Sequence, residues 1–113
     1  MDKIFGIGID IVDINKFKNK HYKDNKKFYQ KIFVNSEIEY CLKFKNSGQH
    51  FAGKFAIKEA VRKSLKKSID FLDIITEHED SKPIIKLKIK NNYNFFVSIS
   101  HDKNYAIAIV IIQ

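Results

Sequence analysis

The stretch QHFAGKFAIKEAVRKSLKK, Gln49 to Lys67, holds no proline and no glycine after Gly53, and its apolar residues recur at intervals of three and four. That spacing predicts the longest helix of the chain. At about 100° per residue, Phe51, Ala52, Phe55, Ala56 and Ala60 share one half of the circumference, with Glu59 and Lys63 in the middle of the arc. The two charges stand four residues apart with the glutamate first, the favourable order for a helical ion pair. An inward-facing pair held for chemistry is the other reading, and spacing alone leaves both open.

Working outward, Ile4 to Val12 alternates Ile7, Ile9 and Ile11 on one side with Gly6, Gly8, Asp10 and Val12 on the other, a period of two that predicts a strand. Aspartate is depleted in strand interiors. Asp10 beside two residues without side chains leaves space for a ligand, or else it caps the next helix or pairs with a lysine. Asn15 to Phe33 reads as one or two short helices around a turn at Lys23 to Asn25, and Asn35 to Lys45 as another before a break at Asn46 to Gly48. Phe71 to Glu77 and Pro83 to Ile89 read as strands joined by Asp80, Ser81 and Lys82, and Phe95 to Ser100 pairs with Tyr105 to Ile112 around His101 to Asn104. The order predicts an α+β fold, one domain over residues 1–113, with helices on one side of a mainly antiparallel sheet.

A chain of 113 residues has room for one core. Lys+Arg 21 against Asp+Glu 13 gives a net charge of +8, which calls for an anionic partner. Arg62 is the single arginine, which argues against nucleic acid, because the bidentate guanine contact is an arginine contact. Cys41 is the single cysteine, so no disulfide forms within the chain and a reducing compartment, the cytoplasm, is expected. Nothing around it supplies oxyanion donors, and it reads as a small buried hydrophobe. The longest apolar stretch, Ala106 to Ile112, is far short of a membrane span, and Asp2, Lys3 and Asp10 stand where a signal peptide would be apolar. A soluble, unexported protein that avoids membranes is expected.

A strand carboxylate beside glycines and a helix carboxylate on an inward face can share one hard cation, and Mg²⁺ takes one or two carboxylates with water and substrate phosphates. Lys63, one turn beyond Glu59, would neutralise charge building on a phosphate leaving group. The set Asp10, Glu59 and Lys63 therefore points to phosphoryl or phosphodiester transfer. His101, at a predicted strand end, is a candidate functional group or a turn residue.

Gly6-Ile7-Gly8-Ile9-Asp10-Ile11-Val12, Phe55-Ala56-Ile57-Lys58-Glu59-Ala60-Val61-Arg62-Lys63 and Val97-Ser98-Ile99-Ser100-His101-Asp102 with Tyr105-Ala106 resemble the holo-acyl-carrier-protein synthase family, in the family's order and spacing. The resemblance implies a 4′-phosphopantetheinyl transferase fold. It also implies Mg²⁺-dependent transfer of phosphopantetheine from coenzyme A to a serine of acidic apo acyl carrier protein, in fatty acid biosynthesis, by a homotrimer with active sites between protomers. By the same resemblance Asp10 and Glu59 are the Mg²⁺ ligands, Lys63 and His101 meet the coenzyme phosphates, and Lys16, extended by Lys18, Lys20 and Lys23, binds the carrier. The family's Gly-Thr-Gly after the long helix is Lys66-Lys67-Ser68 here, which makes Lys66 and Lys67 candidate coenzyme contacts. Its Gly-Lys-Pro turn is Ser81-Lys82-Pro83, with Lys82 a further candidate, and Lys54 stands where arginine is common.

Overall fold

In the protein, known from a computed structural model that describes residues 4–113, strand β1 (Gly6–Asp13) leads into short helices α1 (Asn15–Lys18), α2 (Lys26–Gln30) and α3 (Asn35–Leu42). Helix α4 (Ser47–Leu65) follows, then β2 (Ile74–Glu79), β3 (Lys82–Leu87), β4 (Phe95–Asp102) and β5 (Tyr105–Ile112). The charges at Asp2 and Lys3 lie outside the described residues. Among the described residues, no helix is long and apolar enough to cross a membrane. The strands form two antiparallel sheets where the sequence suggested one: β1-β5-β4 and the separate hairpin β2-β3. Asp80 and Ser81 both take positive φ, the geometry of a tight hairpin turn, and Lys82 belongs to the strand after it.

Helix α4 lies directly on the glycine side of β1. A Cβ on Gly6 would stand 1.9 Å from the Ser64 carbonyl oxygen, and one on Gly8 would stand 1.9 Å from that of Ala60. The bare strand face is thus filled by helix backbone rather than by a ligand, which corrects the first reading of those glycines. Farther along, Gly53 brings α4 against Ile99 and His101 of β4, so the helix crosses the sheet from the β4 edge to the β1 edge. The isoleucine row is left outside: Ile7, Ile9 and Ile11 are 60%, 58% and 61% exposed, and Phe96 and Ile109 are exposed as well.

The helical wheel also misplaced the open side of α4. Phe51, Ala52, Ala56 and Ala60 are buried, but so are Lys54, Ile57, Lys58 and Val61 from the other half. Away from its ends, solvent reaches α4 along one strip, Phe55, Glu59, Arg62 and Lys63. A wheel assumes one buried face, whereas β1, β5, α1 and α3 all pack on this helix. The aromatic core lies at its first half, where Tyr29 and Phe51 ring centroids are 4.6 Å apart and those of Phe33 and Phe51 are 5.1 Å apart.

A buried polar network fixes α4 from behind. The Lys58 ammonium donates to Glu37 Oε1 at 2.7 Å and to the carbonyls of Ile32 and Phe71 at 2.8 and 2.9 Å, with both side chains of the pair fully buried. Glu37 Oε1 also accepts from the Val34 N–H at 2.9 Å, and Oε2 accepts from Thr76 N–H at 2.9 Å and Oγ1 at 2.6 Å. Lys54 Nζ donates to Thr76 Oγ1 at 2.9 Å. The network ties α3, α4 and β2 together with its hydrogen bonds made.

Lys66 ends α4 in the left-handed conformation, φ 55°, where glycine is the usual residue. For any other L-residue that conformation costs about 1–2 kcal/mol. Lys66→Gly is therefore expected to stabilise the fold by roughly 1 kcal/mol, net of the extra freedom glycine has in the unfolded chain. Urea unfolding measures it, and an unchanged or lower midpoint would remove strain at this cap as a cost.

Candidate active site

Lys63 reaches across from α4 to β1, where its ammonium donates to Asp10 Oδ1 at 3.0 Å and to the Ile9 carbonyl at 2.9 Å. The Asp10 side chain is 13% exposed and the Lys63 side chain 54%, so the pair is shielded on the strand side and open to solvent on the helix side. Glu59, one turn earlier on the same open strip, pairs with Arg62 at a long 3.5 Å rather than with Lys63. Arg62 is held elsewhere: its Nε donates to the Ile69 carbonyl at 2.6 Å and its guanidinium lies 3.5 Å over the Phe71 ring. The ion pair left open by the spacing is thus Lys63 with Asp10, between elements, and the Glu59 carboxylate is only loosely engaged.

Asp10 and Glu59 offer carboxylate oxygens, the donor type a hard divalent cation takes. Among the described residues no group of three or more His, Cys, Asp or Glu side chains gathers into a metal cluster. One carboxylate on the open strip of α4 and another on β1, paired with Lys63, suit a cation that completes its shell with water and phosphate oxygens, as Mg²⁺ does.

His101 lies apart from this set, on the opposite outer strand. Asp10 is level with Ala108 of the central strand and Ile99 of β4, roughly 10 Å away across β5 at ordinary strand spacing, and His101 stands two residues farther along β4. His101 lines a cavity of about 170 Å³ with His50, Lys54, His78 and Ser81. His50, His78 and the buried Lys54 carried no signal for this pocket in the sequence, because they come from α4 and β2, far apart along the chain.

Residues 6–110 match the family model of the 4′-phosphopantetheinyl transferase superfamily. The chain belongs to that superfamily.

The transferase is 40% identical over 112 residues to the holo-[acyl-carrier-protein] synthase of Thermodesulfovibrio yellowstonii, covering 96% of this chain and 98% of that one. It is also 40% identical over 121 residues to the synthase of Clostridium botulinum strain Eklund 17B, covering 97% and 98%. Among solved structures it resembles the Bacillus anthracis synthase in complex with CoA (3′,5′-ADP), with a TM-score of 0.82, 33% identity and 96% of each chain covered. The Helicobacter pylori synthase in complex with coenzyme A matches with a TM-score of 0.79 and 35% identity over 95% of this chain and 99% of that one. The α+β fold and the family read from the three motifs therefore stand.

The lysines of the transferase fall into separate neighbourhoods. Lys16 lies 4.4 Å over the ring of Phe55, at the head of the strip that carries Glu59 and Lys63. Lys20 lies 4.2 Å over Phe28. Lys18, Lys20 and Lys23 also rim a cleft of about 690 Å³ between α1 and the start of α4. Lys66 and Lys67 are exposed just beyond Lys63, while Lys82 is exposed beside Ser81 at the histidine cavity. Cys41 is fully buried, and burial pushes its thiol up to about 12, so it is a packing residue and not a nucleophile.

Proposed function

We propose that the chain is a Mg²⁺-dependent holo-acyl-carrier-protein synthase of fatty acid biosynthesis, a single catalytic domain working in the cytoplasm as a homotrimer. The observation that carries the reading is the Lys63–Asp10 contact beside the loosely held Glu59 carboxylate, in a chain of this superfamily. The carrier serine Oγ attacks the phosphorus that bears the pantetheine arm. A new O–P bond forms, the pyrophosphate P–O bond breaks, and adenosine 3′,5′-bisphosphate leaves. Mg²⁺ held by Asp10 and Glu59 would supply neutralisation of the pyrophosphate. Lys63 offers its Nζ proton and charge to the departing phosphate oxygen, and a water at the Glu59 carboxylate takes the serine proton. Lys66 and Lys67 extend the positive charge next to Lys63, while His101 and Lys82 meet the coenzyme at the other edge.

Two features support the assembled site. The sheet turns an apolar face outward, Ile7, Ile9 and Ile11 with Ile109 and Phe96, which a second copy would bury. Asp10 and His101 occupy opposite outer strands with β5 between them, so copies meeting edge to edge would bring the two sets around one coenzyme.

Incubation with coenzyme A, Mg²⁺ and apo acyl carrier protein, followed by the carrier's intact mass, tests the reading. A gain of one phosphopantetheine that a chelator abolishes is expected. No gain, with carrier binding intact, would leave a carrier-binding protein without transferase activity. Steering of the acidic carrier by Lys16, Lys18, Lys20 and Lys23 predicts that its KM rises several-fold, on the order of tenfold, between low and high salt. A flat KM with assembly intact would remove that patch from the encounter.

A further inference from the structure

Helix α1 is only four residues long, and the turn after it, residues 19–25, carries Lys20 and Lys23. The turn closes on itself through short-range bonds: the Lys20 N–H donates to the Phe17 carbonyl at 3.1 Å, Asp24 N–H to His21 at 3.2 Å and Asn25 N–H to Tyr22 at 3.0 Å. Among the described residues no ion pair reaches Lys20 or Lys23. The tie from outside comes from Tyr29 of α2. Its side chain is 1% exposed, with its ring centroid 4.6 Å from that of Phe51 and 5.6 Å from that of Tyr22 in the turn. Its hydroxyl donates to the Lys20 carbonyl, with the Phe17 carbonyl 3.2 Å away. Among the described residues this is the one hydrogen bond that links residues 20–24 to a residue beyond Asn25. Burial, and after it Cys41, pushes the hydroxyl up to about 12, so it stays a donor at any working pH.

We propose that the Tyr29 hydroxyl is a positioning group for carrier binding: it clamps the turn after α1, so that Lys20 and Lys23 meet the acidic carrier already in place. The proposal rests on the carrier reading above. Phe17, Phe28, Phe33 and Phe51 all pack around the Tyr29 ring, and packing of that kind asks for no hydroxyl. What the hydroxyl adds is a hold on the Lys20 backbone, and the Lys20 ammonium is in turn seated 4.2 Å over Phe28, the residue before Tyr29. A turn without that hold must be ordered as the carrier docks, and the ordering is subtracted from the binding free energy. A clamped turn presents its charges with most of that loss already met in folding.

Tyr29→Phe keeps the ring and its aromatic neighbours and removes only the clamp. Steady-state kinetics of the full chain with apo acyl carrier protein and coenzyme A should show the carrier KM rising about three- to tenfold, the weight of one net hydrogen bond. The KM for coenzyme A and kcat at saturating carrier should stay as in the wild type. Amide hydrogen exchange at Lys20, Asp24 and Asn25 should speed up, while the amides of α4 keep their rates. Lys20→Ala with Lys23→Ala should raise the carrier KM several-fold, and adding Tyr29→Phe to that pair should change little more, since the groups it places are gone. A role in stability alone would lower the urea midpoint of Tyr29→Phe with both KM values unchanged, and that result overturns the proposal. So does a Tyr29→Phe effect that adds in full to that of the lysine pair. A lysine pair variant with the carrier KM of the wild type would fell the carrier reading and the positioning role with it, and the exchange rates would then report the clamp as a purely structural tie.

Discussion

Glu59→Gln is expected to lower carrier modification by more than about 100-fold while leaving the fold intact. Changes one shell removed from a metal ligand already cost about 10- to 100-fold, so loss of a ligand carboxylate should exceed that. The loss should appear in kcat and persist at saturating coenzyme A, since glutamine keeps the shape of the strip and loses the charge. Stability should hardly move. Among the described residues Glu59 makes one ion pair, 3.5 Å to Arg62, with both side chains more than a quarter exposed, and such pairs are worth about 0–1 kcal/mol. Arg62 keeps its carbonyl partner and its place over Phe71 without it. A purified Glu59→Gln protein that retained most of its activity would remove Glu59 from the ligand set.

The opposite behaviour is expected at Glu37, which touches no substrate in this reading. Glu37→Ala leaves the fully buried Lys58 ammonium facing only the carbonyls of Ile32 and Phe71, and takes an acceptor from the Thr76 backbone, the Thr76 hydroxyl and the Val34 N–H. Breaking a buried pair from one side costs about 3–5 kcal/mol, a large share of the 5–15 kcal/mol that holds an ordinary domain together. The urea midpoint should fall accordingly at fixed protein concentration, which must be held because assembly adds to apparent stability. Replacing both partners, Glu37→Leu with Lys58→Met, should recover most of the loss. A loss below about 1 kcal/mol in Glu37→Ala would mean that Lys58 finds water or another partner, and that the network is not what holds α4.

The two substitutions differ in how visible their reasons were. Glu59, Lys63 and Asp10 stand out in the sequence because a charge in a strand and charges amid alanines break local patterns, and a broken local pattern is readable from spacing. Their partners were not readable: whether Lys63 pairs with Glu59 or Asp10 is decided by how far α4 descends onto Gly6 and Gly8. Glu37, Lys54, Lys58 and Thr76 look like ordinary surface residues in the sequence, and they meet only because α3, α4 and β2 close on one another. His50 and His78 carry no local signal for the same reason.

The sequence by itself determined the α+β order of elements, the extent of the long helix to within a few residues, and the family, since periodicity and motif spacing are properties of neighbours along the chain. Only the tertiary structure decided which side of each element is buried. The glycines of β1 admit the backbone of α4 and so turn Ile7, Ile9 and Ile11 outward, and packing of α4 from several sides leaves solvent the strip with Glu59 and Lys63. Burial depends on what packs against a residue, and those partners lie up to tens of positions away.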